Sequence, residues 1–140
     1  MSIEIKGLDR LIKKVSALEN LNYNEVVTKT AKIIEPKLRG KAAEHFPKSS
    51  NYLKICETRS SQQYCYVEIG LKSDTAPFDL WKEAWYHNWG YFLKYYGKPT
   101  NVYINMYAGW WNSAVNDVSE EAKEEIKRHL RESIKKALSK

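Results

Sequence analysis

Between residues 78 and 111 the chain carries all five of its tryptophans and 13 of its 18 aromatic residues. The stretch runs Phe78-Asp79-Leu80-Trp81-Lys82-Glu83-Ala84-Trp85-Tyr86-His87-Asn88-Trp89-Gly90-Tyr91-Phe92. It continues through Tyr95-Tyr96, Tyr103, Tyr107 and Trp110-Trp111. Each ring that leaves water contributes roughly 1.5–3 kcal/mol, so the fold has to gather them. A chain of 140 residues cannot hide so many rings in one small region without crowding them. Some belong to the core. The surplus is expected on a surface that meets a neighbour, because Tyr and Trp are the preferred anchors of protein interfaces. Trp81, Trp85, Trp89, Tyr91, Trp110 and Trp111 are the candidate interface residues. Base stacking suits the stretch less well, because it holds only Lys82, Lys94 and Lys98 against Asp79 and Glu83.

The length fits a single domain, 1–140, that buries about two-thirds of its unfolded surface. Met1-Ser2-Ile3-Glu4 lacks a basic region followed by an apolar run. No apolar run approaches the ~20 residues that span a bilayer. A soluble chain made in the cytoplasm, with no membrane partner, is expected. The net charge of +6 is uneven. Residues 1–59 carry +5, residues 60–118 carry −1 and residues 119–140 carry +2. The cations alternate with acids along the helical patterns, which reads as solvated faces rather than one nucleic-acid-binding element. Nucleic acid is therefore not the expected partner.

Ile3 and Ile5 flank Glu4, a short strand signal. After Gly7, the spacing of Leu8, Leu11, Ile12, Val15 and Leu18 predicts an amphipathic helix over 8–19. Asn22 with Glu25 three residues on resembles a capping box. Val26, Val27, Thr30, Ala31, Ile34, Leu38, Ala42 and Phe46 mark one face of a second helix, to about residue 45. Pro36 lies inside it and is expected to bend it. Pro47 is expected to close it.

Lys48 to Asn51 reads as a loop, with Asn51 suited to the left-handed region. Strands are expected over 52–58 and 63–70. Pairing Leu53 with Val67 and Ile55 with Cys65 would bury both apolar sets together. That register puts Cys56 and Cys65 on opposite faces, so two free thiols are expected.

Asp79 is expected to cap a helix to about Asn88, with Gly90 ending it. Lys94 to Pro99 reads as loop or turn, and Val102 to Met106 as a strand. The last element is the clearest. Val115, Val118, Ala122, Ile126, Leu130, Ile134, Ala137 and Leu138 recur at three and four, with acids first and bases last, matching the helix dipole. Unbroken from Trp110 to Leu138 it would span roughly 43 Å. That exceeds the ~37 Å diameter of a compact domain this size, so the helix must overhang, bend or restart at Ser119. The fold class is α+β: a small antiparallel sheet packed by a kinked second helix and a long C-terminal helix.

Signs of chemistry are sparse. His45, His87 and His129 lie far apart, and none has metal-ligand spacing with a cysteine. His87 among rings reads as a core or interface histidine. His129 and Glu125 read as a solvated i,i+4 pair. Nothing near Cys56 or Cys65 resembles an activated nucleophile, and no glycine-rich loop cradles a phosphate. No cofactor, metal or catalytic residue is assigned, and a non-enzyme is expected. The alternative is a basic nucleic-acid-binding or ribonuclease-like module built on His45 or His87.

The order of parts resembles the tail-completion, or head–tail joining, proteins of long-tailed phages and prophages. The opening Ile3-Glu4-Ile5-Lys6-Gly7-Leu8-Asp9-Arg10-Leu11 is similar to theirs. So are Pro47 through Leu53, Val67-Glu68-Ile69-Gly70, Ala84 through Gly90 and the helix containing Ala114. The resemblance covers nearly the whole chain, and its specificity lies in order and spacing. Asn51 stands where that family often has Gly. Asn88-Trp89-Gly90 stands where Glu-Phe-Gly is usual. No proline precedes the last helix. The resemblance implies a structural protein without catalytic residues. It would form a self-associating ring between the connector and tail tube proteins, first in the host cytoplasm and then in the virion tail.

Overall fold

The computed structural model describes residues 8–19, 21–61 and 64–139. The strand expected over Ile3–Ile5 lies outside them. The chain folds as α1 (Leu8–Glu19), α2 (Tyr23–Ala43), α3 (Pro47–Ser50), β1 (Lys54–Ser60), β2 (Cys65–Gly70), α4 (Phe78–Trp89), β3 (Tyr91–Tyr95), β4 (Lys98–Ile104) and α5 (Trp110–Leu138). The class is α+β. Among the described residues the strands form two antiparallel two-stranded sheets, β1–β2 and β3–β4.

The central element is α2, which packs along α5 and against both β1 and β2. Its 3.6-residue stripe is the one the sequence marks: Val26, Thr30, Ala31, Ile34, Leu38 and Ala42 are buried. The Thr30 hydroxyl, buried with them, donates to the Val26 carbonyl at 3.0 Å. At the start of α2 the Asn22 side chain accepts from the Glu25 N–H at 3.2 Å. The reciprocal half of a capping box is replaced by an ion pair from Glu25 to Lys29 at 2.6 Å. Pro36 and Lys32 are both exposed. Water can therefore serve the Lys32 carbonyl that the proline leaves unpaired, and the helix runs on through Ala43.

Pro47 does not simply end α2. It occupies the first turn of α3, where its missing N–H costs nothing. Ser50 N–H then donates to the Phe46 carbonyl at 2.9 Å. The expected loop is thus a helical turn, and Asn51 is right-handed at φ −63°. The turn drops Leu53 into the centre of the molecule, where it is 1% exposed. The core gathers Ile34, Leu38, Ala42, Phe46, Leu53, Leu71, Ala84, Trp110, Ala114 and Val118.

The β1–β2 register departs from the expected one. Ile55 faces Ile69, and after an irregularity at Cys56, Thr58 faces Val67 and Ser60 faces Cys65. A bulge changes the parity along the strand, so no single alternation describes it. Both cysteines are free.

The last helix neither breaks nor restarts. It is one element of 29 residues, Trp110–Leu138. Ser119 does not cap; its hydroxyl donates to the Asn116 carbonyl at 3.1 Å within the helix. The acid-then-base order supports the whole rod through pairs such as Lys123–Glu120 and Arg128–Glu132. Only Trp110, Ala114 and Val118 are buried along it. The distal part meets α1, whose Leu11, Ile12 and Val15 remain exposed.

Continuity at Ser119 is testable. Proline inside a helix costs about 3 kcal/mol or more, whereas at a helix start it is tolerated. Ser119→Pro is expected to lower unfolding free energy by about that amount in urea titration. A loss within experimental error would mean that two helices meet there.

Candidate interaction surface

The aromatic stretch folds into α4, the β3–β4 hairpin and the start of α5. Pro77 precedes α4 without a side-chain cap, and Asp79 sits in the first turn rather than at the N-cap. There its charge still favours the positive end of the helix. Gly90 ends α4 at φ 75°. A Cβ at Gly90 would lie 2.3 Å from the Tyr103 hydroxyl, which itself donates to the Trp89 carbonyl at 2.9 Å. Glycine is required there by both backbone and space.

Asn88 joins α4 to α5. It is buried; its Oδ1 accepts from the Trp111 N–H at 3.1 Å and its carbonyl from the Gly109 N–H at 2.7 Å. Gly109, the N-cap of α5, makes no side-chain cap bond. A residue of another helix therefore satisfies one of the orphan donors of the longest helix. This role went unread in the sequence, because an N-cap is sought next to its own helix.

The six candidate residues separate by environment. Trp110 belongs to the core: it is 7% exposed, and its indole N–H donates to the Ala84 carbonyl at 2.7 Å. Trp85 is half-buried, with its N–H on the Leu71 carbonyl at 3.1 Å. Trp81 and Trp111 are also half-buried. Trp89 is the outward one, 66% exposed. It stacks on Trp85 at 5.8 Å, and Trp85 in turn meets Trp111 edge-on at 5.7 Å. Tyr91 is half-buried beside Tyr86 and His87. The structure thus gathers Trp85, Trp89, Trp110 and Trp111 into one cluster. Trp81 instead packs with Phe78.

Most of the outward ring surface comes from residues that the sequence reading passed over. Phe78 and Tyr86 are exposed on α4, and Phe92, Tyr95, Tyr96 and Tyr103 on the hairpin. Lys82 lies over both α4 rings, at 5.6 and 5.1 Å from their centroids. The segment expected as loop, Lys94 to Pro99, is the tip of this hairpin. Tyr96 and Gly97 make its two-residue turn at φ 49° and 76°, the paired positive values of a type I′ turn. The remaining signal was the glycine at position 97.

The histidines do not build a site together. His45 stacks on Tyr107 at 4.5 Å and is exposed. His87 packs among Phe46, Tyr91 and Tyr107. The two imidazoles open into different hollows, whereas acid–base catalysis by a histidine pair needs both on one substrate. His129 is no solvated residue; its side chain is 11% exposed, 3.5 Å from Glu125 and 3.8 Å from Glu132. Burial pushes the Cys56 thiol up from its ordinary value, away from the thiolate that a nucleophile needs. Among the described residues no group of three or more His, Cys, Asp or Glu is arranged to hold a metal ion. Nor is any helix there long and apolar enough to cross a membrane. Against protein-family models, curated proteins and solved structures, the chain finds no match.

The division between core and surface rings has an energetic signature. Trp110→Phe removes the buried indole bond to the Ala84 carbonyl and trims a core ring, and is expected to cost about 1–3 kcal/mol. Trp89→Ser should change stability by less than about 1 kcal/mol. Denaturant titration of both variants checks the assignment, and equal losses would contradict it.

Proposed function

We propose that this chain is a structural assembly subunit of the phage or prophage tail-completion type, joining a head connector to a tail tube as part of a ring. The observation that carries the reading is the aromatic surface of α4 and the β3–β4 hairpin. There the Trp89 indole and the Phe78, Tyr86 and Phe92 rings face outward together with the hairpin tyrosines. Contiguous apolar surface beyond a few hundred Å² marks an interaction site on a soluble domain. The order of elements supports the reading too: an α+β domain with two early helices, a hairpin, an aromatic helix and a long final helix matches the order that the resemblance implies. Small identical subunits close into rings through head-to-tail contacts. The α4 part of that surface, Trp89 with Phe78 and Tyr86, would then be one half of such a contact, with connector and tube proteins above and below.

Light scattering coupled to size-exclusion chromatography tests this over a range of concentrations. The expected result is a concentration-dependent oligomer that persists at high salt, seen as rings by negative-stain microscopy and lost in Trp89→Ser. A chain that stays monomeric, alone and with tail tube protein, would refute the proposal. If that monomer bound nucleic acid with an affinity falling steeply with salt, the basic nucleic-acid-binding alternative would take its place.

A further inference from the structure

A strand in a two-stranded sheet has only one partner, and its other edge presents unpaired N–H and C=O groups. Among the described residues β3 and β4 each have one such edge. The two edges are not equivalent. Tyr95 faces Lys98 across the two-residue turn, so the main-chain groups of these residues point inward. By alternation the groups of Pro99 point outward, and proline has no N–H to offer. Beyond it the register of the ladder shifts, and the Thr100 hydroxyl bonds the Leu93 carbonyl at 2.6 Å and the Val102 N–H at 3.3 Å. The outer edge of β4 is therefore blunted.

Among the described residues nothing pairs with the outer edge of β3. Leu93 points its carbonyl at Thr100, toward β4, so Phe92 and Lys94 on either side direct their N–H and C=O groups outward. The strand contains no proline, and Phe92, Leu93, Lys94 and Tyr95 are all exposed. A lone two-stranded hairpin is only marginally stable in water. Its four exposed rings, Phe92, Tyr95, Tyr96 and Tyr103, present roughly 500 Å² at ~200 Å² per ring. That is the larger part of the ~800 Å² each partner gives to a standard interface.

We infer that the β3 edge pairs antiparallel with the β3 edge of a second copy, about a two-fold axis at Leu93. The sequence Tyr91-Phe92-Leu93-Lys94-Tyr95 is self-complementary in that register. Leu93 faces its own counterpart, Tyr91 faces Tyr95, and Phe92 faces Lys94. Phe92 and Lys94 both have outward main-chain groups, so they form the hydrogen-bonded pairs, twice across the axis. The only charge on the strand meets an aromatic ring rather than its own copy, which would repel it. The product is a four-stranded sheet ordered β4–β3–β3–β4. Both outer edges are the blunted β4, so growth stops at two copies and the contact is closed. This contact is separate from the head-to-tail contact of a ring and does not rest on it.

Charge exchange and cross-linking test it in the full chain. In Trp89→Ser, which removes the ring contact, light scattering is expected to show a dimer at high concentration, and the charge variants are made in that background. Phe92→Lys puts an ammonium opposite Lys94 of the second copy, and loss of the dimer is expected. Adding Lys94→Glu places opposite charges there and should restore it, which a variant that merely misfolds would not do. In a Cys56→Ser, Cys65→Ser background, Leu93→Cys should cross-link to itself on mild oxidation. The non-hydrogen-bonded pair brings Cα atoms to about 4.5 Å, within disulfide reach, while Phe92→Cys should remain uncross-linked. A Trp89→Ser chain that stays monomeric would overturn the inference. So would a dimer that survives Phe92→Lys, or a dimer in which Leu93→Cys does not cross-link. Rings lost in Trp89→Ser while the Leu93→Cys cross-link persists would keep the two contacts distinct.

Discussion

The fold depends on how the Trp110 indole is seated. Its ring lies against Phe46 at 5.3 Å, and its N–H reaches the carbonyl of Ala84, a residue with no exposure at all. A buried ring with an unpaired N–H would be costly. The hydrogen bond therefore selects one rotamer and one separation between α4 and α5. Asn88 repeats the tie one turn further along through the Trp111 and Gly109 amides. One turn before Ala84, on the same stripe of α4, the Ser49 hydroxyl donates to the Leu80 carbonyl at 3.0 Å. Side chain to main chain bonds along one stripe thus position α4, although it buries only Ala84 and Asn88. The same economy explains the aromatic surface. A helix held by its carbonyls does not need all its rings for packing, and Trp89, Tyr86 and Phe78 are left outside.

The helices were legible because burial follows a 3.6-residue period in α2 and α5, and Val26 through Ala42 are buried where the pattern put them. The places that went unread each involve a rule that depends on an unseen partner. Pro47 serves equally as a terminator and as a first helical residue, and only the Phe46 carbonyl accepting from Ser50 decides between them. The β1–β2 register assumed unbroken alternation, which the bulge at Cys56 cancels. Strand β3 has no polar–apolar alternation, because Tyr91 to Tyr95 is exposed on both faces beyond its first residue. Its turn uses Tyr96-Gly97 in place of the more familiar Asn-Gly.

For the surface, the location was readable and the orientation was not. Composition pointed to residues 78–111. Which rings face water depends on the contact between Trp110 and Ala84, 26 positions apart, and no local pattern reports that. His129 shows the same limit from the other side. Its spacing from Glu125 reads as surface, while its side chain is nearly enclosed.

Because α5 buries Trp110, Ala114 and Val118 at its start and continues unbroken to Leu138, a tilt near its start is amplified toward its far end. A tilt of ~1° there displaces the far tip by ~0.75 Å over the ~43 Å rod. The aim of the distal tip is therefore set jointly by the amide and indole bonds near Trp110 and by the packing of α2 and α1 against the rod.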